Sequence, residues 1–334
     1  MEDENKQEEK NHESNKPESK PKSKKSPKSL YWGIGISLLV VVIAVLATVG
    51  IRIYKYQAHD SFTTSVAQVI PFPAAIVAGQ WVSYSQVIEV TDALYHYLDY
   101  QSTLYPDNEL LDAPNYQDSF KDSLELLTEN AYLSKEAASR GIEVTSAEID
   151  EQLSLLTQDA SQNGESVEET IKKNYNWTID QFKKNALEPQ LIETKLVKDI
   201  AADQSIEENK TAKELIETIR QQLVDEEITF ADAAAEYSDD TGSAENEGDL
   251  GEADPNLFVE EFRDALILLE EGELSEPVLT YYGWHLIRLI ERVESEDGQT
   301  LYHAQHILLS TKNFEEWLLE QMESANISRL IKTD

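Results

Sequence analysis

The stretch that decides the fold runs from Tyr237 to His285, and its informative residues are, in order, Tyr237-Ser238-Asp239-Asp240-Thr241-Gly242-Ser243, Gly248-Asp249-Leu250-Gly251, Phe258, Phe262, Gly272-Glu273-Leu274-Ser275-Glu276-Pro277-Val278 and Thr280-Tyr281-Tyr282-Gly283-Trp284-His285. Pattern and composition predict helices at Thr229–Tyr237 and Val259–Leu269. Strand candidates are Gly248–Gly251, Pro277–Thr280, Trp284–Glu291 and, further on, Leu301–Leu309. This part of the chain is therefore predicted to be α+β.

In order and spacing, these residues resemble the parvulin family of small proline isomerase domains across about fifty residues. The resemblance implies an antiparallel four-stranded sheet wrapped by helices. It implies a slot for the proline ring lined by Leu250, Phe258 and Phe262, with Tyr282 closing the pocket. It also implies paired central histidines, His285 and His306, with Thr280 bonded to them and Asp240 facing the substrate carbonyl.

One strand of that fold is missing from its usual place. The family has a central first strand, with a buried histidine, before the helix that Thr211 and Glu214 are expected to cap. Residues 200–209 show neither alternation nor β-branched density, so no strand is predicted there. A matching segment, His303-Ala304-Gln305-His306-Ile307-Leu308-Leu309, follows the stretch instead.

Two interpretations of Leu301–Leu309 compete: it begins a second, truncated parvulin unit, or it folds back as the absent first strand. Only 25 residues follow Leu309, too few for a second core. Residues 294–299 have turn chemistry, so Trp284–Glu291 and Leu301–Leu309 can form an antiparallel hairpin. In the parvulin fold the first and last strands are antiparallel neighbours, so we predict a natural circular permutation.

Each site residue also has a plainer interpretation. Phe262 and Leu250 fit an ordinary core, Asp240 fits a turn, and His285 fits a core histidine; their joint spacing favours a site. Two features depart from the family: Glu247 replaces the first glycine of its usual Gly-Gly pair, and nothing basic replaces the phosphate-reading cluster of phospho-specific relatives. A zinc site at His303-x-x-His306 is disfavoured, because strand residues three apart point to opposite faces and the chain has no cysteine. No metal or cofactor is expected.

The amino-terminal end predicts a membrane anchor. Residues 1–29 are polar and predicted to be a disordered cytoplasmic tail. Leu30–Ile51 contains 22 uncharged residues, enough for a transmembrane helix at 30–53, although a cleaved signal peptide is the alternative. Lysines cluster before this run, which places the amino terminus in the cytoplasm and the remainder outside, at a single-pass cell membrane location.

Residues 54–73 are predicted to be a linker and 74–205 a helical chaperone domain. A hairpin at Ala75–Ser83 precedes helices with capping pairs, which are Ser83 with Gln86, Thr145 with Glu148, Ser166 with Glu169 and Thr178 with Gln181. The order of elements resembles the amino-terminal chaperone domain of the SurA type; an unrelated helical spacer is the alternative. Its tyrosines fit either a core stripe, which we favour, or a client-binding surface: Tyr84, Tyr95, Tyr97, Tyr100 and Tyr105.

Residues 206–334 are predicted to form a permuted parvulin-like domain. It ends in a helix at Phe314–Ala325 and a possible edge strand at Ile327–Ile331. The chain has 64 acidic and 28 basic residues, so nucleic acid is excluded as a partner because phosphates would be repelled. The layout resembles foldases of the PrsA and PpiD type. It predicts a membrane-anchored extracytoplasmic isomerase acting on unfolded or partly folded exported polypeptides; a non-catalytic holdase is the alternative.

Overall fold

The computed structural model describes residues 27–106, 115–162, 164, 166–295 and 298–333. Most of the predicted disordered tail, residues 1–26, lies outside the described residues. The helices are α1 (Pro27–Tyr56), α2 (Ser61–Val69), α3 (Tyr84–Leu104), α4 (Tyr116–Ser139), α5 (Ser146–Gln162), α6 (Val167–Tyr175), α7 (Ile179–Phe182), α8 (Glu188–Ala202), α9 (Glu207–Val224), α10 (Phe230–Tyr237), α11 (Thr241–Ala244), α12 (Glu260–Leu268) and α13 (Phe314–Ser324). The strands are β1 (Pro73–Val77), β2 (Gln80–Ser83), β3 (Asp249–Ala253), β4 (Val278–Thr280), β5 (Gly283–Glu294), β6 (Thr300–Ser310) and β7 (Ile327–Arg329).

These elements form two compact units, residues 1–52 and residues 53–334. The first contains most of α1. Within α1, Leu38–Tyr56 has a mean hydropathy of 2.2 and is long and apolar enough to cross a membrane, judged by length and composition. The predicted linker at 54–73 is not extended throughout, because α2 occupies Ser61–Val69 with Asp60 accepting a hydrogen bond from the Thr63 backbone N–H at its start.

Side-chain caps mark the starts of helices between β2 and α9, as the sequence predicts. Ser83 and Gln86 form a capping box at the start of α3, and Thr178 and Gln181 form another at the start of α7. The chain then passes from α7 through a π-helical turn at Lys183–Leu187 into α8, so the helix is continuous but locally widened. Side-chain caps satisfy backbone N–H groups that a helix end leaves without partners.

A three-stranded sheet accompanies these helices, in the order β2-β1-β7. The predicted hairpin forms its first two strands, and Ile76 pairs with Trp81. The predicted edge strand near the carboxyl terminus is also present, since β7 pairs antiparallel with β1. The two ends of the 53–334 unit therefore meet in one sheet.

A second, four-stranded antiparallel sheet has the order β3-β6-β5-β4. The strand β6, which follows all the others in sequence, lies in the interior of this sheet between β3 and β5. This position confirms the prediction that the late segment fills the empty strand slot rather than starting a second unit. The turn before it is closed by hydrogen bonds from the Ser295 N–H to the Gln299 carbonyl and from the Gly298 N–H to the Ser295 carbonyl.

Alternation along the central strands divides this sheet into two apolar faces. Leu286, Ile307 and Leu309 pack on one face with residues of α9 and α10. Ile287, Leu289 and Ala304 pack on the other face with residues of α12. Successive side chains of a strand point to opposite sides, so His285 and His306 fall on the α12 face.

The start of α9 differs from the prediction. The helix begins at Glu207, and Thr211 lies inside it rather than at its cap. The reason is a side-chain contact that the local pattern does not show: Asn209, fully buried, donates from Nδ2 to the carbonyls of Ile200 and Asp203. Its Oδ1 accepts from the backbone N–H of Lys312, just after β6. One side chain thus fixes the α8–α9 turn against the incoming tail.

Candidate active site

The two central strands place His285 and His306 side by side. His306 pairs in register with Ile287, two residues beyond His285 on the neighbouring strand, so the two rings are diagonal neighbours on one face. Their Nδ1 atoms are 3.2 Å apart, and the rings are stacked with centroids 5.4 Å apart. Both residues are buried.

A chain of hydrogen bonds runs through this pair. The Tyr282 backbone N–H donates to Thr280 Oγ1 over 3.1 Å, and Thr280 Oγ1 lies 2.9 Å from His285 Nε2. At the other end, His306 Nε2 lies 2.7 Å from Asp240 Oδ2. The predicted residues Thr280, His285, His306 and Asp240 are therefore joined in one line.

The donors along this line follow from the charge states. Burial, and then the neighbouring His306, lowers the pKa of His285 to about 3, so His285 is neutral at physiological pH. A carboxylate at Asp240 accepts only, so His306 donates from Nε2. Between the rings, one Nδ1 carries the hydrogen and the other accepts it, and Thr280 Oγ1 is the partner of His285 Nε2. Every polar atom of the two rings has a partner.

Asp240 combines the two roles considered for it. It is the N-cap of α11, where its Oδ1 accepts from the Gly242 N–H over 3.1 Å, and it also bonds to His306. Burial would raise the pKa of Asp240, but hydrogen bonds from Ser243, His306 and Gly242 outweigh it and hold the pKa below its usual value. Since 31% of its side chain is accessible, the charged group faces the open side of the site.

Ser243 is a site residue that the sequence did not single out. Its hydroxyl donates to Asp240 Oδ2 over 2.5 Å and lies 3.1 Å from His306 Nε2, and the residue is buried. Ser243 follows Asp240 by three residues, the spacing at which the N-cap and the third residue of a helix meet. That spacing was the available signal.

An apolar slot lies beside the histidines. Phe262 is buried, and its ring meets the edges of His285 and His306 at centroid distances of 5.3 and 5.8 Å. The ring centroids of Phe258 and Phe262 are 4.8 Å apart, and Leu250 packs on the same cluster. The predicted slot residues are thus brought together, and they also form part of the core of this face.

Two tyrosines stand at the turn between β4 and β5. Tyr282, predicted to close the pocket, is 53% exposed, and its ring lies 4.1 Å from that of Tyr281. A hydrogen bond to Tyr282 raises the pKa of Tyr281 to about 12. The two tyrosine rings therefore contact each other and remain accessible to solvent, so they do not seal the pocket.

The loop before β3 contains two successive left-handed residues, one of which is the unusual Glu247. Glu247 has φ +62° and Gly248 has φ +75°, both left-handed. The backbone N–H of His306 donates to the Gly248 carbonyl over 2.8 Å, which ties the loop to β6. Glu247 thus adopts a conformation that glycine takes more easily.

One family model matches the part of the chain that carries most of this site. Residues 191–291 match the family model "Rotamase", described as the PPIC-type PPIase domain. This part of the chain belongs to a parvulin-type domain. The match contains all the predicted site residues except His306, because it ends before β6 begins. The resemblance drawn from Tyr237–His285 is confirmed.

Curated relatives of the parvulin-type domain carry the name "Chaperone SurA". Those of Pseudoalteromonas atlantica and Salmonella choleraesuis are 39% identical over 131 residues and 40% identical over 127 residues. The alignments cover 38% and 36% of this chain and 30% of each relative. The chain therefore spans less than a third of the length of these relatives.

Two solved structures also match. One is titled a peptidylprolyl isomerase (PrsA) from Bacillus cereus, with 22% identity, a TM-score of 0.22, and coverage of 78% of this chain and 86% of that chain. The other is a PrsA from Bacillus anthracis, with 18% identity, a TM-score of 0.21, and coverage of 60% and 86%.

His303, the other histidine of β6, lies away from the pair. Its Nε2 is 2.8 Å from Asp249 Oδ1, in the neighbouring strand β3. The backbone N–H of Gly251 and then His303 hold the pKa of Asp249 below its usual value despite partial burial. In the described part of the chain, no group of three or more residues is arranged to hold a metal ion.

Proposed function

We propose that this chain is a membrane-anchored extracytoplasmic foldase that catalyses cis–trans isomerisation of X-Pro bonds and assists the folding of exported polypeptides. The observation that carries the proposal is the hydrogen-bonded line from Thr280 to Asp240 beside the slot formed by Phe262. The match to the PPIC-type PPIase domain, and relatives named as chaperones, support it.

The reaction needs no bond to break. Amide resonance sets a barrier of ~18–20 kcal/mol to rotation about the X-Pro bond, so a catalyst need only favour the twisted amide over the planar forms. Lowering the barrier by about 4 kcal/mol speeds rotation about a thousandfold. A slot for the ring, a charge near the carbonyl and little water are sufficient.

The site residues divide these tasks. Phe262, Phe258 and Leu250 receive the pyrrolidine ring. Asp240 lies towards the substrate carbonyl, where its negative charge disfavours the planar amide with its electron-rich oxygen. The two histidines, with Thr280, hold Asp240 in position and line the slot, and no proton transfer is required of them. Catalysis therefore needs no general base.

The membrane anchor is the helix α1. Its apolar part follows lysines at 20, 22, 24, 25 and 28, and the positive-inside tendency places that end in the cytoplasm. The parvulin-type domain then lies outside the cell membrane, where it meets exported polypeptides. The helices and hairpin of residues 74–205 act as the chaperone part, and residues 206–334 act as the isomerase part.

The alternative is a holdase in which the parvulin-type domain is structural. Both interpretations predict suppressed aggregation of a client, but only the enzyme accelerates the refolding of a proline-limited client. A protease-coupled isomerase assay on the full chain in detergent separates them. Phe262→Ala is expected to lower kcat/KM about a hundredfold and Asp240→Ala about tenfold, because the slot and the charge are lost.

Phe230→Ala is the matched control. Phe230 is equally buried, but it packs on the opposite face of the sheet, away from both histidines. Both phenylalanine variants lose stability, so activity is compared at a temperature where each is folded. Equal loss of activity in the two variants, or an uncatalysed rate in the unaltered chain, would favour the holdase.

A further inference from the structure

A cavity of about 700 Å³ lies among the helices outside the isomerase site, bounded by α2, α3 and the segment from α6 to the π-helical turn. Its volume is in the range of ligand sites rather than packing defects. Two carboxylates of α3, Glu89 and Asp92, line it together with the aromatic residues Tyr175 and Trp177. None of these residues takes part in the isomerase site.

The Glu89 carboxylate is held in place by neutral groups. Its Oε1 accepts from Gln181 Nε2 over 2.8 Å and from Asn185 Nδ2 over 3.1 Å. Gln181 is itself fixed, because its Oε1 accepts from the Thr178 backbone N–H in the capping box of α7. Glu89 is half-buried, so its charge is partly withdrawn from water without a cation to balance it.

A helix irregularity creates this arrangement. Asn185 belongs to the π-helical turn Lys183–Leu187, where the widened helix brings its amide onto Glu89. Such turns occur frequently at functional sites. The π-helical turn replaces regular α-helical hydrogen bonds, and it positions the Glu89 carboxylate at the wall of the cavity.

Like charges three residues apart on a helix repel each other, and Glu89 and Asp92 have this spacing. Asp92 accepts from the Tyr116 hydroxyl over 2.8 Å, which is again a neutral donor. The side-chain hydrogen bonds that the described residues make to the two carboxylates thus all come from neutral donors. His59 and Lys184 also line the cavity, so its two carboxylates outnumber its single lysine.

The aromatic wall suits the stem of a long cationic side chain. Tyr175 stacks on Trp177 at a centroid distance of 5.6 Å and on Tyr97 at 5.4 Å, so its ring is held firmly. Lysine and arginine carry apolar stems that pack on such rings while the charged head reaches a carboxylate. The volume exceeds that of one side chain and leaves room for the flanking backbone.

We propose that this cavity binds a lysine or arginine side chain of an extended client segment, with Glu89 as the anionic partner and Tyr175 as the apolar wall. The inference rests on the proposed function, because it takes the ligand to be an unfolded polypeptide. It names the class of segment that the chaperone part selects: basic segments, independent of proline.

The test is binding of two labelled peptides to the full chain in detergent, measured by fluorescence anisotropy. One peptide is extended, proline-free and rich in lysine; the other has every lysine replaced by glutamine. The lysine peptide is expected to bind about tenfold more tightly at low salt, with the advantage shrinking as salt screens the charges. Equal binding of the two peptides overturns the proposal.

Three variants locate the effect. Glu89→Gln keeps the size and an acceptor for Gln181 and Asn185, and it is expected to remove most of the preference for the lysine peptide. Lys184→Gln is expected to strengthen that preference about threefold. Asp99→Asn, an exposed change on the same helix outside the cavity, is the control and is expected to change nothing. A preference that survives in Glu89→Gln contradicts the assignment.

The isomerase rate of each chain is measured in parallel. Glu89→Gln is expected to leave that rate unchanged, since Glu89 does not touch the histidine pair. A lysine preference without isomerase activity would contradict the enzyme proposal alone. Isomerase activity without a lysine preference would contradict the cavity proposal alone.

Discussion

Gly248 is the residue on which the placement of His306 most directly depends. Its φ is +75°, and a Cβ atom built there would lie 2.3 Å from the backbone oxygen of His306. The strained backbone costs a larger residue roughly 1–2 kcal/mol, and the steric clash adds to this cost because β6 cannot yield easily. We expect Gly248→Ala to lower the free energy of unfolding by about 3–4 kcal/mol and to reduce isomerase activity, as measured by urea unfolding and the coupled assay.

Gly251 provides the matched control for this prediction. It has a similar φ of +68°, but a Cβ there would meet nothing within 4 Å. Gly251→Ala therefore carries the backbone strain alone, about 1–2 kcal/mol. Equal destabilisation by the two alanines would show that β6 does not approach Gly248 as described.

The buried His285 predicts a dependence of stability on pH. Its pKa is about 3 in the folded chain and 6.5 in the unfolded chain, so below pH 6.5 the unfolded state binds a proton that the folded state does not. The free energy of unfolding should therefore fall as pH drops from 6.5 towards 3, by up to about 1.4 kcal/mol per pH unit. This contribution is fully present only above pH 6.5.

Urea unfolding between pH 6.5 and 5 measures this effect, above the range in which Asp240 and Asp249 titrate. His285→Gln is expected to flatten the slope by about 1 kcal/mol per pH unit. A slope equal to that of the unaltered chain would mean that His285 is not held neutral by burial.

The positions of residues in the candidate site could be predicted where the spacing in the sequence carried the information. The residues that were missed show the limit of such predictions. Asp240, Phe262 and His285 lie at distances that a familiar pattern supplies. Ser243 and Asn209 act through contacts across elements, with His306 and with the backbone of Lys312. No local pattern shows such contacts, because the partners are far apart in sequence.

Among the elements, β6 is the one on which the candidate site most depends. It pairs with β5 along eleven positions and also with β3, and it carries one of the two histidines. A chain that ends after Ser310 keeps β6, and we expect it to retain isomerase activity within about threefold while its melting temperature falls. A chain that ends after Ser295 lacks the strand and should lose activity at least about tenfold, because the sheet is left open.

The two truncated chains control each other. Both lack α13 and β7, so loss of those elements cannot explain a difference between them. Equal activity of the two chains in the coupled assay would mean that β6 is dispensable and that the histidine pair plays no part.

Element boundaries could be predicted where side-chain caps mark them. The Ser83 and Thr178 capping boxes place the starts of α3 and α7 as expected. The start of α9 could not be predicted from Thr211, because the helix begins at a position without a side-chain cap and is fixed by the buried Asn209. The π-helical turn before α8 had no sequence signal either, because the contact that accompanies it joins Asn185 to Glu89, which is far away in the sequence.

Across the unit formed by residues 53–334, the carboxyl-terminal segment connects the helices to the four-stranded sheet. Arg140, at the end of α4, bonds to Asp199 and Asp203 and lies 5.7 Å from the Trp317 ring of α13. Arg329 of β7 forms two hydrogen bonds to Glu125 of α4. The chain thus runs from the helices into the four-stranded sheet and then back to the helices. Two chain segments therefore connect the helical part to the sheet.

At the scale of the whole unit, the order of elements in the sequence was enough to predict that the carboxyl-terminal segment returns to the sheet. The absence of a strand at residues 200–209 and the surplus strand at Leu301–Leu309 together predicted it, and β6 between β3 and β5 confirms it. The tyrosines of α3 could not be assigned to one role: Tyr84 is fully buried, Tyr105 is 57% exposed, and the others lie between. Their environments depend on neighbouring helices.

A pair of introduced cysteines tests the central claim most directly, because the chain has no cysteine of its own. Glu252 of β3 lies opposite His303 of β6. The double variant Glu252→Cys/His303→Cys should form an intramolecular disulfide in the folded full chain under mild oxidation, and should not do so in urea. Glu252→Cys/Ser310→Cys, with the second cysteine at the far end of β6, should leave both thiols free. Free thiols at 252 and 303 in the folded chain would contradict the insertion of β6 into the sheet.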